Sequence, residues 1–137
     1  MGKSELPQII KDVGFENGWN EKEVWELKFP TETVPIEVLT WHFDIPFWNS
    51  DNGWYDLTPR QVLENPSCFG NHVERIEQAD TNYPIDICSN PKTKKWTILD
   101  GLHRLAKLSL HSIPTANVRK IPYDQVPWKK KIERLAT

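Results

Sequence analysis

Short blocks of hydrophobic and polar positions along this chain predict strands that are separated by helices. The first strand is predicted from Val34 to Trp41, a run rich in β-branched and large apolar residues. A hairpin is predicted from a strand at Tyr83 to Cys88, a polar turn, and a partner strand at Lys95 to Leu99. A last strand is predicted from Thr115 to Ile121. Strands that alternate with helices, together with a hairpin, indicate an α+β fold: a mixed sheet with helices packed on it.

Between residues 58 and 110, three helices are predicted from start signals and apolar spacing. The run Thr58 to Gln61 combines a capping threonine, a proline at the first helical position and a glutamine that can close a capping box, and this helix should end near Asn65. Asn71 predicts the next start, with Glu74 at the reciprocal position. The third helix is predicted from about Gly101 to Leu110.

The chain is long enough for one domain with one core, because domains usually contain roughly 100–150 residues. We divide it into an N-terminal arm (1–33), a main domain (34–122) and a C-terminal helical tail (123–137). In the arm, Asn20 followed by Glu23 predicts a helix that packs as a flap on the main domain. The loop that follows the first strand, 42–53, contains a proline and Asn-Gly. The tail carries an apolar stripe at helical spacing: Trp128, Ile132 and Leu135.

Composition excludes several classes of function. The net charge of −2 offers no overall attraction for nucleic acid, so a nucleic-acid site would have to be local. The two cysteines, Cys68 and Cys88, lie outside any zinc spacing and indicate unbridged thiols in a reducing, cytoplasmic compartment. No stretch has the apolar length of a signal peptide or a membrane span, so no membrane partner is expected. We interpret the seven tryptophans mainly as core residues, with interface anchoring as the alternative.

The segment 98–107 carries the most chemistry, because an apolar strand runs into a helix through Asp100 and Gly101. The first amides of a helix lack internal partners and carry a partial positive charge, which suits a phosphate group, and a glycine lets the phosphate approach closely. Angular spacing along the predicted helix places His103, Arg104 and Lys107 on one face. His103 and Arg104 lie in the first turn, where a positive charge is unfavourable unless an anion offsets it. The alternative is an ordinary crossover in which Asp100 is the N-cap.

The stretch Leu99 to Lys107, followed by Ile113-Pro114 and a strand, resembles the signature of the ParB/sulfiredoxin-like superfamily. The resemblance extends more loosely over residues 34–122. It implies that this turn binds nucleotide phosphates through Asp100, Gly101, Leu102, His103, Arg104 and Lys107, with ATP or another nucleotide and Mg²⁺ as cofactors.

Single residues separate the branches of that superfamily. Sulfiredoxins carry a catalytic cysteine where this chain has Leu102, so their reaction is disfavoured. Partition proteins have Glu-Arg at the positions of Leu102 and His103 and need a following DNA-binding domain. The free serine kinase branch, with Asp-Gly-His-His-Arg, matches at Asp100, Gly101, His103 and Arg104. Its catalytic base is a glutamate after the first strand, where this chain offers Asp44 and, further on, Asp51.

These observations lead to two classes of function. The first is a phosphotransferase or nucleotide hydrolase in which Asp44, Asp51 or His103 is catalytic and a small-molecule acceptor or protein partner receives the phosphate. In that hypothesis Asp100 shapes the turn or contacts Mg²⁺. The second is a non-catalytic binding or regulatory module, with a DNA-associated nuclease as a variant and a homodimer as a further expectation. Turn formation is the alternative role of both aspartates. A protein-held metal at His42, Asp44, His72 and Glu74 is disfavoured, since such pairs arise by chance.

Overall fold

A four-stranded mixed sheet forms the centre of the computed structural model, which describes residues 6–15 and 22–128. The strand order is β1-β4-β2-β3, with β1 and β3 at the edges. The pairs β1–β4 and β2–β3 are antiparallel, whereas β2 and β4 run parallel. The predicted α+β class with a mixed sheet is therefore confirmed. The strands are β1 (Thr31–Pro35), β2 (Ile85–Asn90), β3 (Lys95–Asp100) and β4 (Thr115–Lys120).

Five α-helices lie in the described part of the chain: α1 (Gln8–Asp12), α2 (Lys22–Trp25), α3 (Pro59–Glu64), α4 (Gly70–Gln78) and α5 (Leu102–Leu110). The predicted start of α3 is confirmed in detail. The Gln61 amide donates to the Thr58 hydroxyl at 3.1 Å, and the Thr58 amide donates to the Gln61 side chain at 2.8 Å. Helix α4 begins one residue before the predicted Asn71, which lies inside the helix. Phe69 occupies the N-cap position, and no side chain caps this end.

The first predicted strand is wrong over most of its length. Strand β1 ends at Pro35, and the chain continues through two short 3₁₀ segments, 36–38 and 40–44. Proline has no N–H to extend a strand ladder. The residues that follow bury Leu39, His42 and Phe43, which are spaced by three and four positions as in a helix. That spacing was the signal against a strand.

The segment 40–44 covers the free edge of β3. The Trp41 indole N–H donates to the carbonyl oxygen of Trp96 at 3.0 Å, and the Ile98 amide donates to Nε2 of His42 at 2.9 Å. Both strand groups would otherwise be unpaired at a sheet edge, where they invite pairing with another chain. The remainder of the predicted loop is closed by a bridge between Trp48 and Leu57.

Both faces of the sheet are buried, and the two faces have different partners. One apolar cluster joins Ile87 and Ile98 to the helices α3, α4 and α5. The second cluster joins the next residues along the same strands, Cys88 and Leu99, to the arm and to the segment after β4. Neighbouring residues of a strand point to opposite faces, so the arm covers the face that the helices leave open. Its contributors are Ile10, Phe15, Val24, Ile121, Val126 and Trp128.

The arm therefore belongs to the core, and β1 crosses the predicted boundary between residues 33 and 34. Helix α2 confirms a helix in the arm, although Asn20, its predicted start, lies outside the described residues. The tail positions Ile132 and Leu135 also lie outside them. Both cysteines are free, with Cys68 exposed and Cys88 buried. No helix among the described residues is long and apolar enough to cross a membrane.

Candidate functional site

The turn between β3 and α5 has the geometry of an anion site. Gly101 is the N-cap of α5 and adopts a left-handed backbone with φ of 114°. The left-handed backbone favours glycine, and a Cβ atom at this position would press on its neighbours, at 3.1 Å from the Ile85 side chain and 3.2 Å from Nη1 of Arg104. No side chain caps the start of α5, which leaves its first amides available to a ligand.

Asp100 is the last residue of β3 and is not the cap of the helix. Its carboxylate accepts a hydrogen bond of 2.7 Å from the indole N–H of Trp25, which is half exposed. The same carboxylate oxygen lies 3.7 Å from Nη1 of Arg104. Asp100 is thereby held beside the helix start, where it lines the cleft described next.

A cleft of about 890 Å³ opens at this turn. The start of α5 and the second half of α4 both contribute to its lining. Its floor is apolar and aromatic, and charged groups of both signs lie around it. The lining residues are Phe15, His42, Phe47, Trp48, Arg75, Gln78, Ala79, Asp80, Tyr83 and Ile98, followed by Leu99 to Arg104.

Arg104 lines the cleft, and contacts with two neighbouring residues hold its side chain in place. Its Nη1 donates to the carbonyl oxygen of Pro84 at 3.0 Å, and its guanidinium carbon lies 5.9 Å from the centre of the Tyr83 ring. A guanidinium has five N–H donors, so these contacts orient the group and leave donors for a ligand.

His103 reaches the cleft as a neutral ring. It stacks on Trp48 with the ring centres 4.5 Å apart, and the nearly parallel ring of His72 lies 5.0 Å from Trp48. Burial, with a smaller contribution from the charge of Arg75, lowers the pKa of His103 to about 4. Its Nε2 is buried and has no hydrogen-bond partner within the described part of the chain. At neutral pH this side chain can accept or donate a hydrogen bond but supplies no charge.

Lys107 does not share the site with His103 and Arg104, although all three start from one face of α5. Its ammonium group donates to the carbonyl oxygens of Glu77 at 2.7 Å and Ala79 at 3.0 Å. These carbonyls lie at the end of α4, where a cation is favoured. Lys107 therefore joins two helices, and its predicted contact with phosphate is not what the structure shows.

Arg75 is a cleft residue that the sequence did not indicate. It lies on the exposed side of α4, lines the main cleft, and also lines a second pocket of about 780 Å³ on the other side of Trp48. Within the described residues its guanidinium has neither an ion pair nor a hydrogen bond. The only sequence signal is its position three residues after His72, because the approach of α4 to α5 is a tertiary feature.

The two predicted catalytic aspartates lie apart from each other. Asp44 is outside the cleft and forms an ion pair with Arg60, with Nε and Oδ1 2.5 Å apart. This partner holds the pKa of Asp44 below its usual range, which makes it a poor base. Asp51 lines the second pocket, together with Asn49, Trp54, Glu74 and Gln78. The structure thus leaves only Asp51 next to the cleft.

Among the described residues, no group of three or more histidine, cysteine or acidic side chains is arranged to hold a metal ion. His42 bonds to the edge of β3 and Asp44 bonds to Arg60, so they do not form a pair of ligands.

Comparisons with family models, with curated proteins and with solved structures found no match to this chain. Its function is therefore inferred from the fold and from the cleft. Together they define a small α+β domain with a candidate anion-binding site at a strand-to-helix turn.

Proposed function

We propose that the cleft binds the phosphate groups of a nucleotide and that the protein is a small phosphotransferase or nucleotide hydrolase of the ParB/sulfiredoxin-like kind. One observation carries the proposal: α5 starts without a side-chain cap at the left-handed Gly101, directly beside the fixed guanidinium of Arg104. Free amides and a guanidinium are the donors that recognise phosphate oxygens.

The remaining surface of the cleft suits the other part of a nucleotide. Phe47, Trp48 and Ile98 give it an apolar floor, and Tyr83 stands exposed at its side. Flat aromatic and apolar surfaces favour a planar base, while a few polar groups fix its orientation. We take ATP as the first nucleotide to test.

Mg²⁺ fits this site as a companion of the phosphates. Proteins usually hold Mg²⁺ through one or two carboxylates together with phosphate oxygens, and two carboxylates, Asp80 and Asp100, line the cleft. When bound, Mg²⁺ would neutralise part of the phosphate charge.

For catalysis, a base must accept a proton from the attacking hydroxyl group or water. Of the predicted catalytic residues, Asp51 in the neighbouring pocket and His103 at the cleft remain as candidates, and the proton would move to one of them as the phosphate bond to the leaving nucleotide breaks. A bound phosphate would raise the pKa of His103 and make it a better base.

A non-catalytic nucleotide-binding module is the second candidate. It is favoured by the position of Asp44, which the resemblance would make the base and which the structure holds against Arg60 outside the cleft. In this case nucleotide would bind and be recovered unchanged.

Binding is tested by calorimetry and thermal shift with ATP, CTP, GTP and UTP in the presence of Mg²⁺. We expect a dissociation constant below roughly 1 mM for at least one of them. Arg104→Ala should abolish binding, whereas Arg60→Ala, which removes an arginine outside the cleft, should leave it unchanged. No binding to the wild-type protein, or equal loss in both variants, would refute the proposal.

Catalysis is tested by product analysis of each nucleotide that binds. Release of phosphate or of a nucleoside diphosphate, lost in Asp51→Asn or His103→Phe, supports the enzyme. Unchanged nucleotide after prolonged incubation supports the binding module.

A further inference from the structure

Two guanidinium groups from different helices line the same cleft. Arg104 comes from the first turn of α5 and is fixed by Pro84, as described above. Arg75 comes from α4 and is free of protein partners within the described residues. An arginine that lines a cleft without a partner is available to an anionic ligand. The free-energy cost of replacing the water around its guanidinium with phosphate oxygens is small.

The position of Arg75 relative to α5 is held by contacts between the two helices. Lys107 of α5 donates to the carbonyl oxygens of Glu77 and Ala79, and His111 bonds to the Glu77 carboxylate at 2.8 Å. These contacts lie at the end of α4, one turn after Arg75. These contacts hold the second half of α4, which carries Arg75, next to α5.

No other group provides a second positive charge on the described lining of the cleft. His103 is neutral at physiological pH, and Lys107 is engaged with α4 outside the cleft. A ligand with a single phosphate can satisfy the helix start and Arg104 alone. A longer phosphate chain has further oxygens that can contact Arg75 at the same time.

We propose that Arg75 selects nucleoside triphosphates: the start of α5 and Arg104 hold the inner phosphates, and Arg75 contacts the terminal one. The inference rests on the proposed nucleotide site and goes further by naming the class of ligand and the residue that selects it. Arg75 also lines the second pocket, so the terminal phosphate would face the space that contains Asp51.

The test measures dissociation constants by calorimetry for ATP, ADP and AMP, and also for tripolyphosphate and pyrophosphate, which have no base. The proteins are the wild type, Arg75→Gln and Arg104→Gln. Lys94→Gln is the matched control, because it removes one positive charge on the turn at the far end of the β2–β3 hairpin. Arg75 is exposed, so its replacement should leave the melting temperature unchanged.

We expect the wild type to bind the triphosphate compounds about tenfold more tightly than the diphosphate compounds. Arg75→Gln should remove this preference and leave AMP and ADP binding within about twofold of the wild type. Arg104→Gln should weaken all of them, and Lys94→Gln should change none.

Two results would overturn the inference, and they differ from each other. If nucleotides bind but Arg75→Gln keeps the preference for the triphosphate, or weakens all ligands equally, Arg75 does not select and the proposed site stands. If neither nucleotides nor tripolyphosphate bind the wild type, the proposed function fails and the inference fails with it.

Discussion

The imidazole of His42 is 1% exposed. It makes two hydrogen bonds, which together determine which ring nitrogen carries the proton. Its Nδ1 donates to the carbonyl oxygen of Leu39 at 2.6 Å, and its Nε2 accepts from the Ile98 amide at 2.9 Å. A nitrogen that accepts a hydrogen bond must be unprotonated, so the structure requires neutral His42. Burial accordingly lowers the pKa of His42 to about 4. A histidine that the sequence offered as a metal ligand is instead the residue that holds the 3₁₀ segment to β3.

The lowered pKa values of His42 and His103 make the protein sensitive to mild acid. Both fall from 6.5 to about 4 in the folded state, so the unfolded chain binds more protons between these pH values. The free energy of unfolding should therefore fall by about 2 kcal/mol for each histidine between about pH 7 and about pH 4.5. Urea denaturation at the two pH values measures this.

His103→Phe keeps a flat ring on Trp48 and should remove close to half of the pH dependence. Asp86, whose pKa burial raises, acts in the opposite direction as acid is added, so it cannot produce the effect. Equal stability at both pH values would contradict the assignment.

At the scale of elements, the start of α5 depends on backbone geometry more than on side-chain capping. Helix α3 begins with a capping box that is visible in the sequence. Helix α5 begins instead at a glycine in the left-handed region and has no cap. A helix start without a cap leaves donors unsatisfied, which is costly unless water or a ligand provides acceptors. Helix α4 also starts without a side-chain cap, so the feature particular to α5 is the left-handed Gly101 next to the guanidinium of Arg104.

Gly101→Ala should lower the free energy of unfolding by about 1–3 kcal/mol, because alanine disfavours a left-handed backbone and its Cβ would press on Ile85 and Arg104. It should also weaken binding of any phosphate ligand, since it displaces Arg104. Chemical denaturation and calorimetry measure the two effects.

Gly70→Ala is the matched control. Gly70 starts α4, and a Cβ there would meet no atom within 4 Å. This variant should be unchanged or more stable by up to about 1 kcal/mol. If both glycine variants behave alike, the special backbone at Gly101 has no energetic role.

At the scale of the whole molecule, the sheet separates two apolar clusters and needs both. The helices α3 to α5 bury one face, and the arm with the segment after β4 buries the other. A sheet with one bare apolar face would expose a large hydrophobic surface, which soluble proteins rarely tolerate. The arm is thus required for the fold and also supplies Trp25 to Asp100 at the turn.

Ile10→Ala tests whether the arm belongs to the core. Ile10 is 1% exposed, whereas its neighbour Ile9 is 48% exposed. Truncation of Ile10 should cost about 2–4 kcal/mol in one cooperative transition, as expected of a core residue. Ile9→Ala should cost less than about 0.5 kcal/mol. An arm that acts only as a flap would give small and equal changes in both variants, measured by urea denaturation.

The sequence alone specifies the elements whose signals are local. The capping box of α3, the hairpin of β2 and β3, the extent of α5 and the glycine turn at its start all depend on residues that are close in the chain. It also identified Arg104 as a residue of the cleft, because the direction of a side chain in the first turn of a helix follows from helix geometry.

Which side chains share the cleft depends on how the elements pack in the tertiary structure. Lys107 and Arg104 leave the same helix face, yet Lys107 turns to the end of α4, because that helix end lies within its reach and offers unpaired carbonyls. Arg75 lines the cleft from α4, Asp51 lines the neighbouring pocket, and Asp44 pairs with Arg60. The apolar run after Pro35 forms 3₁₀ segments and not a strand, because this conformation buries its side chains against β3. These outcomes depend on distances between elements that are remote in the chain, which no local pattern of residues records.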